Sequence, residues 1–229
     1  MSNTKSIDSK VFTLLGLSSK SKVYYSNIGY ILVSDKLDFV YKVYTNKDFF
    51  DKEIYAYSLF SNIDVLIPKM DIIGLMEGYY IIKLENVRKH YYRKNNIFDL
   101  NLKKVAYILS KIHNIVKDGK NFILGDVHSS NFYELNCGND IVLGIFDFSS
   151  SRYGDIEEDI ANLYIDLGLN NIVLRDFLID YGLDINNNKL YKYTISELYE
   201  RIKKGMNLSV EKKKMYYKFL IKLKTNYEN

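Results

Sequence analysis

Apolar and polar positions divide the chain into a front half of short apolar runs and a back half of amphipathic helices. Residues 11–15 read as a strand, residues 16–22 as a turn rich in small side chains, and residues 23–33 as a second strand broken near Gly29. Residues 37–44, β-branched and aromatic, predict a third strand with Lys42 at its centre. Helical spacing takes over at 48–60, with Phe50, Ile54, Tyr57 and Leu59 or Phe60 on one side. Residues 65–70 hold the only proline, Pro68, which fixes a bend or an edge position. Residues 78–84 then form a buried-type strand.

The clearest amphipathic helix spans 99–115, with Leu102, Val105, Ala106, Leu109, Ile112 and Val116 as its stripe. Asp99 is its expected N-cap, and His113, near its end, reads as a packed structural histidine. Residues 141–146 form an apolar run that ends at Asp147. A helix over 156–167 is expected to open with a capping box of Asp155 and Glu158. Three more helices, near 171–181, 190–204 and 208–224, close the chain.

Composition adds limits. At 229 residues, 47% hydrophobic and 26% charged, the chain suits one globular domain, or two lobes sharing a cleft. No apolar run reaches the roughly 20 residues of a membrane span, and the single cysteine, Cys137, suits a reducing compartment. A cytoplasmic protein without a membrane span is expected. The three histidines, at 90, 113 and 128, form no zinc-hydrolase pattern. Residues 88–94 are basic with interleaved aromatics, but so short a stretch reads as a solvated face, and no nucleic-acid partner is expected. The net charge of +4 is uneven: residues 189–224 carry eleven Lys or Arg against three Glu.

The chemistry concentrates at Leu124-Gly-Asp126-Val-His128-Ser-Ser-Asn131, followed sixteen residues later by Asp147. A carboxylate at a strand end, with a carboxamide and a second carboxylate on a loop, can hold Mg²⁺ through oxygens while the metal grips a phosphate. The remaining carboxylate then orients a substrate hydroxyl, the division of labour of phosphoryl transfer. A strand lysine is ordinarily a solvated-face residue, but Glu53 on the following helix can reach back to Lys42. Such a pair aims an ammonium at phosphates.

These motifs, with Gly154-Asp-Ile-Glu-Glu-Asp159-Ile-Ala161, resemble the aminoglycoside phosphotransferase and choline kinase branch of the protein-kinase-like fold. Leu124 stands where that branch usually has His, a position that tends to brace the loop. The resemblance implies a two-lobed α+β fold, with a small antiparallel-sheet N-lobe at about 9–85 and a mainly helical C-lobe at 86–229, one domain in all. It implies Asp126 as the base or orienting carboxylate, Asn131 and Asp147 as Mg²⁺ ligands, and His128 and Asp159 as bracing residues. Asp159 would accept backbone hydrogen bonds from the catalytic loop. A nucleotide, ATP or GTP, would meet Gly16 and Ser18 in a covering loop, Lys42 with Glu53 at its phosphates, and Glu85 and Val87 at the adenine edge.

A small-molecule acceptor follows from the same resemblance. Only about six residues separate Phe148 from Gly154, leaving no platform for a peptide. This ranks a protein kinase below a small-molecule kinase. A pseudokinase is disfavoured because Lys42, Asp126, Asn131 and Asp147 are all competent side chains. The basic 189–224 segment offers no acidic wall for an aminoglycoside, although Asp166, Asp176, Asp180 and Asp184 on the preceding helices could supply one; a neutral or anionic acceptor, such as a sugar or metabolite, is expected.

Overall fold

The computed structural model describes residues 9–18, 21–26, 28–33, 39–87, 101–138, 140–204 and 209–227. The elements run α1 (Ser9–Leu14), β1 (Lys22–Ser26), β2 (Gly29–Val33), β3 (Phe39–Tyr44), α2 (Lys47–Phe60), β4 (Met70–Met76), β5 (Tyr79–Glu85), α3 (Leu102–His113), β6 (Val116–Lys117) and β7 (Lys120–Ile123). They continue through β8 (Phe132–Cys137), β9 (Asp140–Ile145), β10 (Arg152–Gly154), α4 (Ile156–Asp166), α5 (Asn171–Tyr181), α6 (Asn187–Lys203) and α7 (Val210–Tyr227). They pack as two compact units, residues 1–92 with 132–150, and residues 93–131 with 151–229.

The first unit is an antiparallel sheet of order β1-β2-β3-β5-β4, together with α1, α2 and the β8–β9 hairpin. Residues 11–15 are not the expected strand: they lie in α1 and the turn that ends it. One helical turn puts Val11 and Leu15 on the same side, where they and Leu17 pack against Tyr30, Leu32, Tyr41, Val43 and Ile81. Thr13, which an alternating strand would bury with them, is exposed.

The strand–turn–strand reading therefore moves along the chain. Residues 16–22 connect α1 to β1, and the hairpin is β1–β2, paired from Lys22↔Val33 to Ser26↔Gly29. Gly29 makes the break a true turn. Its φ is +156°, and a Cβ there would lie 1.9 Å from the Val43 carbonyl oxygen, so only glycine lets β2 lie this close to β3.

Helix α2 starts at Asn46, whose side chain accepts from the Asp48 amide at 2.8 Å. It buries Phe50, Glu53, Ala56, Tyr57 and Phe60; Ile54, expected on that face, is only half-buried. The β8 strand was not anticipated. It pairs with β9 from Phe132↔Ile145 to Cys137↔Asp140, and a parallel bridge joins Gly144 to Leu66.

The second unit is helical around a small sheet of order β10-β7-β6. Helix α3 is capped by Asn101, whose side chain accepts from the Lys104 amide, rather than by Asp99, which lies outside the described residues. The expected capping box of α4 is absent. Asp155 precedes the helix but makes no side-chain cap, because its carboxylate takes Lys189 Nζ and the Tyr193 hydroxyl, each at 2.9 Å. Glu158 pairs with Arg152 instead. A charged partner and a phenol hold the carboxylate, and the Glu158 amide donates instead to the Asp155 carbonyl at 3.1 Å. Ile165, Leu198, Tyr216 and Leu220 form the core beneath α4, α6 and α7. No described helix is long and apolar enough to cross a membrane.

Candidate active site

In the first unit the site is built on β3. Lys42 pairs in register with Ile31 of β2 and Ile82 of β5, central in the sheet, and its side chain is buried rather than solvated. Its Nζ lies 2.6 Å from Glu53 Oε2 and 2.8 Å from Asp147 Oδ1. The expected Lys42–Glu53 pair is present, and Asp147, 105 residues away in sequence, completes a bridge. Burial alone would lower the ammonium's pKa, but the two carboxylates outweigh it and hold it above the ordinary lysine value.

Burial pushes the Glu53 carboxyl up, while Lys42 and the Tyr44 hydroxyl, which donates to Oε2 at 2.6 Å, pull it back. We assign it as ionised, since a cation at 2.6 Å and a phenol donor both favour the carboxylate. Tyr44 lies two residues from Lys42 and so on the same strand face, a relation the sequence already contains.

Asp147 follows β9 with a φ of +72°, a left-handed conformation uncommon for a non-glycine residue. Two contacts hold that geometry. The Ser149 hydroxyl donates to Asp147 Oδ1 at 3.1 Å, and the Phe148 ring is fully buried, packed edge-on against Tyr57 and Phe60 of α2. Anchoring Phe148 in α2 turns the preceding carboxylate toward Lys42.

Beside this bridge lies a small, partly open pocket. Ile31, Val40, Leu84, Val87 and Phe146 give it apolar walls, and Lys42, Glu85 and Asp147 are its charged lining residues. Glu85 and Val87, expected at an adenine edge, both line it. The Glu85 amide is committed elsewhere, donating to the Lys69 carbonyl at 2.8 Å. Gly16 and Ser18 are not among the lining residues; the residues between two strands are those at Ser26–Gly29.

In the second unit Asp126 and Asn131 lie on the loop that follows β7, which ends in a single 3-10 turn at Ser129–Asn131. Asp126 is exposed. Asn131 is buried, and its amide donates to the Asp126 backbone carbonyl at 2.7 Å, turning its own carbonyl oxygen away from that bond. His128 has Nε2 3.8 Å from Asp126 Oδ2 and Nδ1 2.6 Å from the Ser130 hydroxyl.

Asp159, fully buried in the first turn of α4, accepts the Leu124 amide at 2.7 Å and the Gly125 amide at 2.8 Å. The loop is thus held at the position where Leu124 replaces the usual histidine. His113, as expected, is structural: Nε2 donates to Asp159 at 2.9 Å and Nδ1 accepts from the Tyr181 hydroxyl at 2.5 Å. A carboxylate can only accept, so Nε2 carries a proton. Burial first, and then the neighbouring Asp159, push the Tyr181 phenol's pKa upward.

Sequence reasoning offered Asp166 only as a carboxylate for an acceptor wall and missed its contact with the loop, where it accepts the Ser129 amide at 2.8 Å. The signal was present, because Asp166 stands seven residues after Asp159, two turns along the same helix face. Among the described residues no group of three or more His, Cys, Asp or Glu forms a metal cage.

No family model and no curated protein matches the chain. Solved structures do. The choline kinase LicA from Streptococcus pneumoniae superposes with a TM-score of 0.65 at 16% identity, covering 93% of this chain and 95% of that one. Aminoglycoside phosphotransferase APH(3'')-Id from Streptomyces rimosus gives 0.64 at 10% identity, over 82% and 97%. A ternary complex of aminoglycoside phosphotransferase APH(4)-Ia with AMP-PNP and hygromycin B gives 0.57 at 13%, over 93% and 97%. The protein therefore has the fold of the aminoglycoside phosphotransferase and choline kinase branch of the protein-kinase-like proteins.

Proposed function

We propose that the protein is a nucleotide- and Mg²⁺-dependent phosphotransferase acting on a hydroxyl of a small molecule. The observation that carries this reading is the buried Lys42 bridged between Glu53 and Asp147, with Lys42 and Asp147 lining a mainly apolar pocket. A flat heterocycle suits the apolar walls, and the Lys42 ammonium suits the phosphates that follow it. LicA has been solved with AMP and APH(4)-Ia with AMP-PNP, which favours an adenine nucleotide here over GTP.

Mg²⁺ fits a site made of one carboxylate, one carboxamide, phosphate oxygens and water better than an all-protein cage. Asp147 and Asn131 are the residues that would hold it, and bound Mg²⁺ would neutralise charge developing on the transferred phosphoryl group. Asp126 orients the acceptor hydroxyl and takes its proton late in the reaction. Lys42 stabilises phosphate charge, and Glu53 keeps Lys42 aimed. His128 and Asp159 keep the loop in shape.

The acceptor we favour is neutral or anionic. Basic residues of α6 pair with several carboxylates of this unit: Arg201 lies 2.7 Å from Glu197 and 3.9 Å from Asp166, and Lys189 takes Asp155. Like-charge juxtaposition disfavours an aminoglycoside by several kcal/mol, on the order of wrong-partner penalties at interfaces.

The test is calorimetric titration of ATP and GTP with and without Mg²⁺, followed by an ATP-dependent screen of hydroxylated metabolites and kanamycin-type drugs. Asp126→Ala should abolish transfer and keep nucleotide affinity, while Asp147→Ala should lose the metal-dependent part of binding. Absence of both nucleotide binding and metal dependence in the wild type refutes the reading. Phosphorylated drug detected by mass spectrometry refutes the acceptor preference.

A further inference from the structure

We infer that Asp166 and Arg201 form a positioning relay that fixes the catalytic loop from the far end of α4, an inference whose kinetic arm rests on the proposed phosphotransfer. Asp159 and Asp166 stand on one face of α4, and each binds loop backbone. Asp159 takes Leu124 and Gly125, before Asp126, and Asp166 takes Ser129, between Asp126 and Asn131. The six residues carrying both functional side chains are therefore held on either side of the carboxylate. The first clamp is backed by His113.

The second clamp needs a different backing. Asp166 is the last residue of α4, where the helix dipole places partial negative charge, so a carboxylate there is electrostatically misplaced unless a cation answers it. Arg201, in the last turn of α6, supplies that cation with Nη1 3.9 Å from Asp166 Oδ1. Its fork is fixed by two further bonds, Nε to Glu197 at 2.7 Å and Nη2 to Asn162 of α4 at 3.1 Å. The Arg201 side chain is only 15% exposed and that of Asp166 23%, so solvent does not screen the pair as it does surface ion pairs. The basic C-terminal segment, unassigned by its sequence, thus has one member with a defined task.

If Arg201 merely tied α6 to α4, its loss would change stability and leave the loop as it is. Hydrogen exchange of the full-length protein across residues 124–131 separates the two roles. Asp166→Ala and Arg201→Met should each speed exchange there by about 10-fold or more, since the local opening free energy falls with each lost contact. Glu197→Ala, which removes one of the bonds that fix the Arg201 fork but keeps both members of the pair with Asp166, should have a clearly smaller effect. Arg201→Lys should restore part of the protection, because the charge survives without the fork.

In Mg²⁺–ATP turnover, the same variants should lower kcat by about 10- to 100-fold, the scale of a misplaced reacting group, with nucleotide KM nearly unchanged. The double variant should be no worse than Asp166→Ala, because Arg201 acts through Asp166. Unchanged exchange at 124–131, an effect of Glu197→Ala equal to that of Arg201→Met, or multiplying kcat losses each overturn the relay. A wild type that binds no nucleotide defeats the phosphotransfer reading alone, and the exchange arm still decides whether the loop is held this way.

Discussion

Replacing Lys42 by methionine keeps an unbranched apolar stem and removes only the ammonium. It leaves Glu53, fully buried, beside Asp147 with no cation between them. Removing one partner of a buried pair costs about 3–5 kcal/mol, because the other charge stays desolvated. The loss also depends on pH. Burial pushes the Glu53 carboxyl up, and with Lys42 gone nothing of comparable strength pulls it back. The folded variant then holds a proton that the unfolded chain releases near the ordinary carboxyl value. Stability accordingly falls as pH rises above that value, by at most about 1.4 kcal/mol per pH unit until the folded-state pKa is passed.

Urea unfolding followed by circular dichroism at pH 5 and pH 8 measures both effects. The gap from wild type should be wider at pH 8. The double variant Lys42→Met/Glu53→Gln, with no buried charge left at 42 or 53, should recover about 2 kcal/mol or more at pH 8, since replacing a whole buried pair is near neutral. It should also lose the extra pH dependence. A Lys42→Met loss below about 1 kcal/mol, or a double variant as unstable as the two single losses added, would refute the argument that Lys42 is a buried bridge.

Two further outcomes follow from geometry alone. Gly29→Ala should destabilise by about 1–3 kcal/mol, the cost of overpacking, because its Cβ meets backbone that cannot swing away; an unchanged urea midpoint contradicts the β2–β3 approach. Asp159→Ala should lower the melting temperature sharply and expose 124–131 to proteolysis, since the Leu124 and Gly125 amides and His113 lose their acceptor at about 1–3 kcal/mol each; intact loop protection in that variant refutes the clamp.

The candidate site residues were legible because their spacing is local. Asp126 and Asn131 sit on one loop, Asp147 ends an apolar run, and Glu53 lies on the helix that directly follows the Lys42 strand. The stripe of α3 and the packed role of His113 were legible for the same reason: helical period fixes which side is buried. Residues 11–15 were not, since five apolar-rich residues satisfy both periods and only packing against Tyr30, Leu32 and Tyr41 selects the helix.

Caps were decided by competition among distant partners. Lys189 and Tyr193, more than thirty residues on, take the Asp155 carboxylate from the role its local sequence suggests. The third member of the Lys42 bridge, the anchoring of Phe148 in α2, and the tie from Arg201 through Asp166 to Ser129 all join residues that no window of sequence contains. Periodicity and turn chemistry act over a few residues, so the sequence by itself determined which groups are present and on which element. Burial and charge compensation act through space, so only the tertiary structure decided which groups meet.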